Sequence, residues 1–409
     1  MLNPQRTIDE LKELRDLTSD ENGAQRVAWT DTWAESRAWL RAKAGQIPGV
    51  TDQVDEAGNL WFTLKGKTKK TLVIGGHMDS VPNGGWLDGT LNVLGGLEVL
   101  RRLAERGTPP VTVRLVDWAD EEGARFGRSL FGSSCASGAI DVMEVGALKD
   151  RAGITLAAAT AAHGVELKTA TRARTQLKNA AAYLELHIEQ GPVLESKNLP
   201  MGVVLGTFGV ERHQITFTGQ AAHSGSTPML MRKDALGGVS RTHLAVREIG
   251  IKHGGVCTVG RVQTEPGIVT AVVGEALMTL DQRHLNAAKL AKMYGEAKQA
   301  SLLAAKEEHI EVTWKKIWSI QPFLFHPELI KIADASVRDV CGLSMRLPSG
   351  PLHDAAEVCR TGIPTVMLFV QSLKGISHNR IEDTREDHIA MSVRALDTLA
   401  DRTMQWIRG

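Results

Sequence analysis

A chain of 409 residues with 43% apolar and 23% charged side chains has the composition of a folded, soluble protein, and at about 150 residues per domain it has room for two or three domains. Lys plus Arg at 48 against Asp plus Glu at 47 leaves a net charge of +1, so no global field draws the chain to nucleic acid or anionic lipid. Met1–Asp16 has no continuous apolar signal-like run, no stretch approaches the ~20 apolar residues that span a bilayer, and the four cysteines form no CxxC pair; the expectation is a cytoplasmic protein without membrane or nucleic-acid partners.

The predicted elements begin with a helix over Thr7–Leu14, with Ile8, Leu11 and Leu14 on one face, and a second from about Thr32 to a C-cap at Gly45. Strands follow at Asn59–Leu64 and Thr71–Ile74, then a helix at Leu91–Leu103 and strands at Val111–Val116 and Tyr183–Ile188. This alternation predicts a mainly parallel sheet covered by helices. From Val210 the order becomes strand Arg212–Thr218, helix Lys233–Glu248, strands Val256–Val262 and Met278–Arg283, helix Leu285–Lys306 and strand Ile310–Trp314. That βαββαβ order predicts an inserted α+β domain. The first texture returns with strand Thr365–Val370 and a closing helix striped by Ile389, Val393, Leu396, Leu399 and Met404. The expected division is therefore a discontinuous α/β domain over residues 1–210 and 325–409, interrupted by a smaller one over residues 211–324.

Ligands in open α/β sheets bind beyond the carboxyl ends of the strands. Polar residues gather there four times: His77-Met78-Asp79 with Asp88 beyond; Asp120-Glu121-Glu122; His187, Glu189 and Gln190; and Ser377-His378. A lone histidine among thirteen is ordinarily a surface or core residue, and Asp120–Glu122 alone reads as a solvated turn. Imidazoles and carboxylates delivered together to one rim instead suit Zn, Mn, Co or Ni. Two ions fit the donor set: His77 and His187 for one, Glu122 and His378 for the other, with Asp88 bridging. Asp79 is placed to accept the second imidazole N–H of His77, and Glu121 is left free as a general base. Gly66-Lys67-Thr68 ends like a phosphate-binding loop but has Trp61 where the first glycine belongs. Gly132-Ser133-Ser134-Cys135 lacks a nucleophile elbow, and Cys135 reads as core.

The runs Gly75-Gly76-His77-Met78-Asp79-Ser80-Val81-Pro82, Glu121-Glu122-Gly123-Ala124-Arg125-Phe126, His187-Ile188-Glu189-Gln190-Gly191-Pro192 and Gly375-Ile376-Ser377-His378 together resemble the hydantoinase/carbamoylase family of amidohydrolases, over nearly the whole chain and in order. This group includes N-carbamoyl-L-amino-acid hydrolases, β-ureidopropionases and allantoate amidohydrolases, within the dinuclear M20-type metallopeptidase superfamily. The resemblance implies a catalytic domain with an inserted lid that also forms a homodimer. It implies metal ligation by His77, Asp88, Glu122, His187 and His378, with Glu121 as the base for a metal-activated water. Gln190, Gly375 and Ser377 would face the substrate, His223 would assist the oxyanion, and Arg283 would clamp the substrate carboxylate. Two positions depart from the family pattern. Thr270 stands where a substrate-binding Asn is usual, and Pro351-Leu352 replaces Ala-Gly before His353-Asp354-Ala355. The implied reaction is hydrolysis of N-carbamoyl-L-amino acids. Alternatives are allantoate, another ureido acid or an N-acyl amino acid as substrate, or a metal-binding relative without turnover.

Overall fold

Helix Pro4–Thr18 starts on Asn3, whose side chain accepts from the Arg6 N–H, and buries Ile8, Leu11 and Leu14. Helix Asp31–Ala44 is capped by Thr30 and ends at Gly45, which is right-handed at φ −62° and so makes no left-handed cap. The computed structural model describes all 409 residues and resolves them into two units, Met1–Gly206 with Phe325–Gly409, and Thr207–Leu324.

The first unit is built on a mixed sheet flanked by helices. Its strands run in the spatial order Met201–Thr207, Thr365–Val370, Ala180–Ile188, Thr71–His77, Thr112–Trp118, Leu60–Leu64, Val50–Val54. The four strands from Thr365–Val370 to Thr112–Trp118 are mutually parallel, and both flanks turn antiparallel. Those central strands are mostly buried on both faces, so apolar residues dominate them, interrupted by Arg114 and Asp117 in one and by Glu185 and His187 in another. Strand Thr71–His77 runs three residues further than the apolar signal because the ladder to Thr112–Trp118 continues, pairing His77 with Trp118. Helix Thr90–Glu105 packs against the sheet and against helices Pro4–Thr18 and Glu386–Arg408. That setting buries nearly its whole length, including Glu98, which receives Arg6 at 2.8 Å.

The second unit is a four-stranded antiparallel sheet in the order Val256–Glu265, Glu275–His284, Gly209–Thr218, Glu311–Ile320. Strand Glu275–His284 alternates buried and less buried residues at period two. Its inner face joins Ile215, Phe217, Val239, Val246, Met293 and Ala297 in a core of its own beneath helices Ala235–His253 and Ala287–Glu307. No helix of the chain is long and apolar enough to cross a membrane. Several elements lie outside the expected set: strands Val50–Val54 and Met201–Thr207, helices Pro327–Cys341 and Asp354–Arg360, and the short helices between Phe131 and Leu177.

Candidate metal centre

Four chain segments deliver polar groups to the carboxyl ends of the parallel strands. His77 is the last residue of its strand, and its Nδ1 lies 3.0 Å from the backbone carbonyl of Asp79. That contact leaves Nε2 as the lone-pair nitrogen, buried and without a hydrogen-bond partner. The carboxylate of Asp79 does not take the role expected of it. It stands 3.6 Å from His77 Nδ1 and instead accepts the backbone N–H groups of Glu121 at 3.2 Å and Glu122 at 3.1 Å. The tautomer is thus set by a main-chain oxygen, and the Asp79 side chain shapes the turn that carries two other site residues.

Asp88 precedes helix Thr90–Glu105, whose cap is Gly89 at φ +66°. A Cβ on Gly89 would come within 2.4 Å of the His77 ring, so only glycine lets the chain reverse this close to the imidazole. The two oxygens of Asp88 face different neighbours. Oδ1 is 3.0 Å from His187 Nε2 and 3.7 Å from His77 Nε2, while Oδ2 is 3.3 Å from His378 Nε2. Glu122 Oε2 is also 3.3 Å from His378 Nε2, and Glu121 Oε2 is 3.7 Å from His77 Nε2. Ligand atoms therefore gather into two groups that share Asp88: His77, Asp88 and His187, and Asp88, Glu122 and His378.

Gln190 enters the same space. Its Nε2 donates to Asp88 Oδ2 at 2.9 Å and lies 3.1 Å from Ser377 Oγ. Glu189 turns away and caps Val193 and Leu194 at 2.8 and 2.9 Å. Gly375 serves close packing: at φ +63°, a Cβ there would meet the Gly191–Pro192 backbone within 3.0 Å. Two residues that the sequence did not single out complete the surroundings. The buried Glu382 accepts from the backbone N–H of Leu87 at 3.1 Å and of Asp88 at 3.0 Å through Oε1, and its Oε2 lies 2.8 Å from Ser377 Oγ. It therefore ties the loop of the shared carboxylate to the loop of His378. His353 packs its ring 4.3 Å from that of His187 and keeps a buried, unpartnered Nε2.

The electrostatics are lopsided toward negative charge. Burial, reinforced by Asp354 and Glu122, pushes Glu121 well above the ordinary carboxylate range, and burial with Asp88 does the same to Glu122. Burial would raise Asp88 too, but the imidazoles of His187, His378 and His77 outweigh it and hold that group well below. Arg26 is the buried cation nearby; burial lowers it to about 10 against the pull of Glu382, Asp79, Asp88 and Glu122. Lone-pair nitrogens facing several desolvated carboxylates leave charge that one guanidinium does not balance. Divalent cations fit this donor set.

The model of Peptidase family M20/M25/M40 matches residues 73–402. The chain belongs to this family. It is similar to an N-carbamoyl-L-amino acid amidohydrolase of Geobacillus stearothermophilus, at 32% identity over 95% of each chain. It is as similar to an allantoate amidohydrolase of Escherichia coli, at 32% identity over 91% of each. Among solved structures, a hydantoinase/carbamoylase family amidase from Burkholderia multivorans superposes with a TM-score of 0.89 at 32% identity, covering 98% of both chains. As an M20/M25/M40 member this chain is a metal-type amidohydrolase, a hydrolase of C–N amide bonds.

The remaining expected residues of this M20/M25/M40 chain lie in the second unit. His223 sits on the short strand Ala222–His223, opposite Ala271. Its Nδ1 accepts the N–H groups of Gly225 at 3.1 Å and Ser226 at 3.3 Å, so its exposed ring presents Nε2–H as a donor. Thr270 is exposed, and its carbonyl accepts from Ser224 N at 3.0 Å. Arg283 is engaged with Asp281, Nε to Oδ1 at 2.7 Å, and Arg212 holds the other oxygen of that carboxylate at 2.6 Å. Arg283 stands eight residues along its strand from Glu275, the end to which the 219–223 segment attaches, a rise of about 27 Å.

Two outcomes are expected. In metal-free protein, burial lifts Glu185 and Glu382 to about 7, so stability they contribute at acid pH is lost as pH rises through 7. Burial is outweighed at His187 by the charge of Asp88, which lifts it to about 9, so its contribution is present below 6.5 and lost as pH rises through 9. His77, pushed by burial down to about 4, acts with opposite sign only below its ordinary 6.5. The urea midpoint of chelator-treated protein should therefore fall between pH 6.5 and 9, and a rising midpoint would contradict the scheme. Glu382→Ala should weaken metal affinity about 10–100-fold, with Glu382→Gln retaining more and kcat at saturating metal close to wild type. Unchanged metal affinity would remove Glu382 from its positioning role.

Proposed function

We propose that the chain hydrolyses the carbamoyl C–N bond of N-carbamoyl-L-amino acids, giving the amino acid, ammonia and carbon dioxide. Asp88 carries this reading, because one oxygen toward each imidazole set supports a carboxylate shared by two divalent ions. His77 and His187 would hold one and Glu122 and His378 the other, with Zn, Mn, Co or Ni suited to the donors. When bound, such ions would polarise the scissile carbonyl and lower the pKa of water toward about 7. Glu121, kept proton-hungry by burial and neighbouring carboxylates, takes the proton of the attacking water and passes it to the departing nitrogen. Asp79 holds the Glu121 backbone so that the carboxylate stays beside His77. Gln190 and Ser377, already bonded to Asp88, line the substrate side together with Gly375.

His223 offers an Nε2–H donor suited to the developing oxyanion. Arg283 offers a guanidinium that can exchange Asp281 for a substrate carboxylate, gripped through two parallel hydrogen bonds. Their separation along the second unit exceeds what an amino-acid-sized substrate spans. We infer that the two groups serving one substrate come from different copies of a homodimer, with Thr270 beside His223 contributing to side-chain choice. The four cysteines form no disulfide, which fits a reducing, cytoplasmic setting.

Equal likeness to the E. coli allantoate amidohydrolase favours allantoate as the second reading. Turnover, read as ammonia for the ureido substrates and as free amino acid for N-acetyl amino acids, should be greatest with an N-carbamoyl-L-amino acid in a panel that includes N-carbamoyl-β-alanine and allantoate; preference for allantoate would select the second reading. Glu121→Gln should lower kcat by about 10²–10⁴ with metal content unchanged. His223→Ala and Arg283→Ala should each be nearly inactive at low substrate, Arg283→Ala chiefly through KM. An equal mixture, dissociated and reassembled, should regain roughly a quarter of wild-type activity from heterodimers with one intact site. No recovery would place both groups on the same copy.

A further inference from the structure

At the opposite end of the first unit's sheet lies a second concavity, of about 550 Å³, at the amino ends of strands Thr71–His77 and Thr112–Trp118. The metal-centre residues occupy the carboxyl ends of the same strands, some 20 Å away along the rise. Lys65, Lys67, Lys69 and Arg114 contribute to its lining, and no carboxylate does. The three lysines are exposed and make no ion pair. The loop that carries them is nonetheless pinned. Lys67 N donates to Pro109 O at 2.9 Å, Gly66 N to Thr112 Oγ1 at 3.2 Å, and Thr112 Oγ1 to Thr68 O at 2.9 Å.

Arg114 forms the floor. It stacks 4.0 Å from the Trp61 ring centroid and donates to Thr63 Oγ1 at 3.2 Å and to Gln176 O and Oε1 at 2.9 and 2.8 Å. The guanidinium is mostly withdrawn from water and has no carboxylate in ion-pair contact; burial lowers it to about 10, partly offset by the charge of Asp55, which accepts from Trp61 Nε1. Buried charges are ordinarily paired. Segment 171–179, which lines the cleft through Thr175, Gln176 and Asn179, carries no acidic residue. A chain of net charge +1 thus lines one cleft with four cations and no carboxylate, so that their fields add.

We propose that this cleft binds a small multivalent anion with adjacent phosphate groups, held by Lys65, Lys67, Lys69 and Arg114. Lysines act as point charges for phosphate oxygens, and an ordered guanidinium supplies directional donors. The volume admits a diphosphate alone or a nucleoside diphosphate. None of these residues belongs to the metal centre, so the proposal stands apart from the hydrolytic reading.

The test is calorimetric titration of the metal-loaded full chain with inorganic pyrophosphate and, separately, ADP, on wild type and on the double variant Lys65→Ala, Lys67→Ala. Wild type should bind one anion per chain, weakened about tenfold in the variant and further as salt is raised, while hydrolytic kcat/KM stays unchanged. Tighter binding of ADP than of pyrophosphate would add a nucleoside contact, equal binding would assign recognition to the phosphates alone, and both outcomes support the site. Absence of binding by wild type, or equal binding by wild type and variant, would overturn it; the second result puts the anion on the metals instead.

Discussion

Everything at the metal centre turns on the Asp88 carboxylate, which meets imidazoles from three distant segments with its two oxygens apart. A single carboxylate among those histidines would be a local ion pair. Here Asp79, Glu121, Glu122, Glu382 and Asp354 are buried around it as well, and burial pushes each of them up toward its neutral form. The chain therefore folds around an electrostatic deficit. Arg26 relieves part of it, and the donor groups left over suit divalent cations.

Backbone strain marks the same place. Asp120, Gln190 and His378 all adopt positive φ, at 57°, 57° and 53°, a region that costs side chains other than glycine about 1–3 kcal/mol when the surroundings enforce it. Each belongs to the turn that leaves one of three different strand ends. Their neighbours hold them there: Trp29 Nε1 donates to Asp120 at 2.9 Å, Ser372 Oγ accepts from Gln190 N at 3.0 Å, and Glu382 anchors the loop of His378 through Ser377. Strain gathered around a charge deficit is what a preorganised site requires.

Much of this was legible in the sequence, for identifiable reasons. The central strands are mostly buried on both faces, so Thr365–Val370 stands out as an apolar run and Tyr183–Ile188 as a largely apolar one, and the residues after them mark the rim. Strand Val50–Val54 escaped because it is an edge strand whose residues mostly face solvent, and Met201–Thr207 because Gly202 and Gly206 interrupt its apolar signal. Glu382 and His353 escaped for another reason. Their roles rest on contacts between segments far apart in the chain, with Leu87 and Asp88 for one and His187 for the other, and no local pattern announces them. Asp79 had the right neighbourhood but the wrong partner, since a spacing of two does not distinguish a side-chain oxygen from a main-chain one.

Glu121 and Glu122 show how little chain the chemistry needs. Adjacent carboxylates would ordinarily compete for the same role, yet left-handed Asp120 turns the strand end so that Glu121 reaches toward His77 and Glu122 toward His378. Asp79 receives both backbone N–H groups on its two oxygens, so one side chain fixes the two orientations together. The group suited to move a proton is thereby kept beside one imidazole set while its neighbour completes the other. Because Asp79 also brings its carbonyl to His77, three site residues take their positions from a single aspartate that need touch neither metal nor substrate.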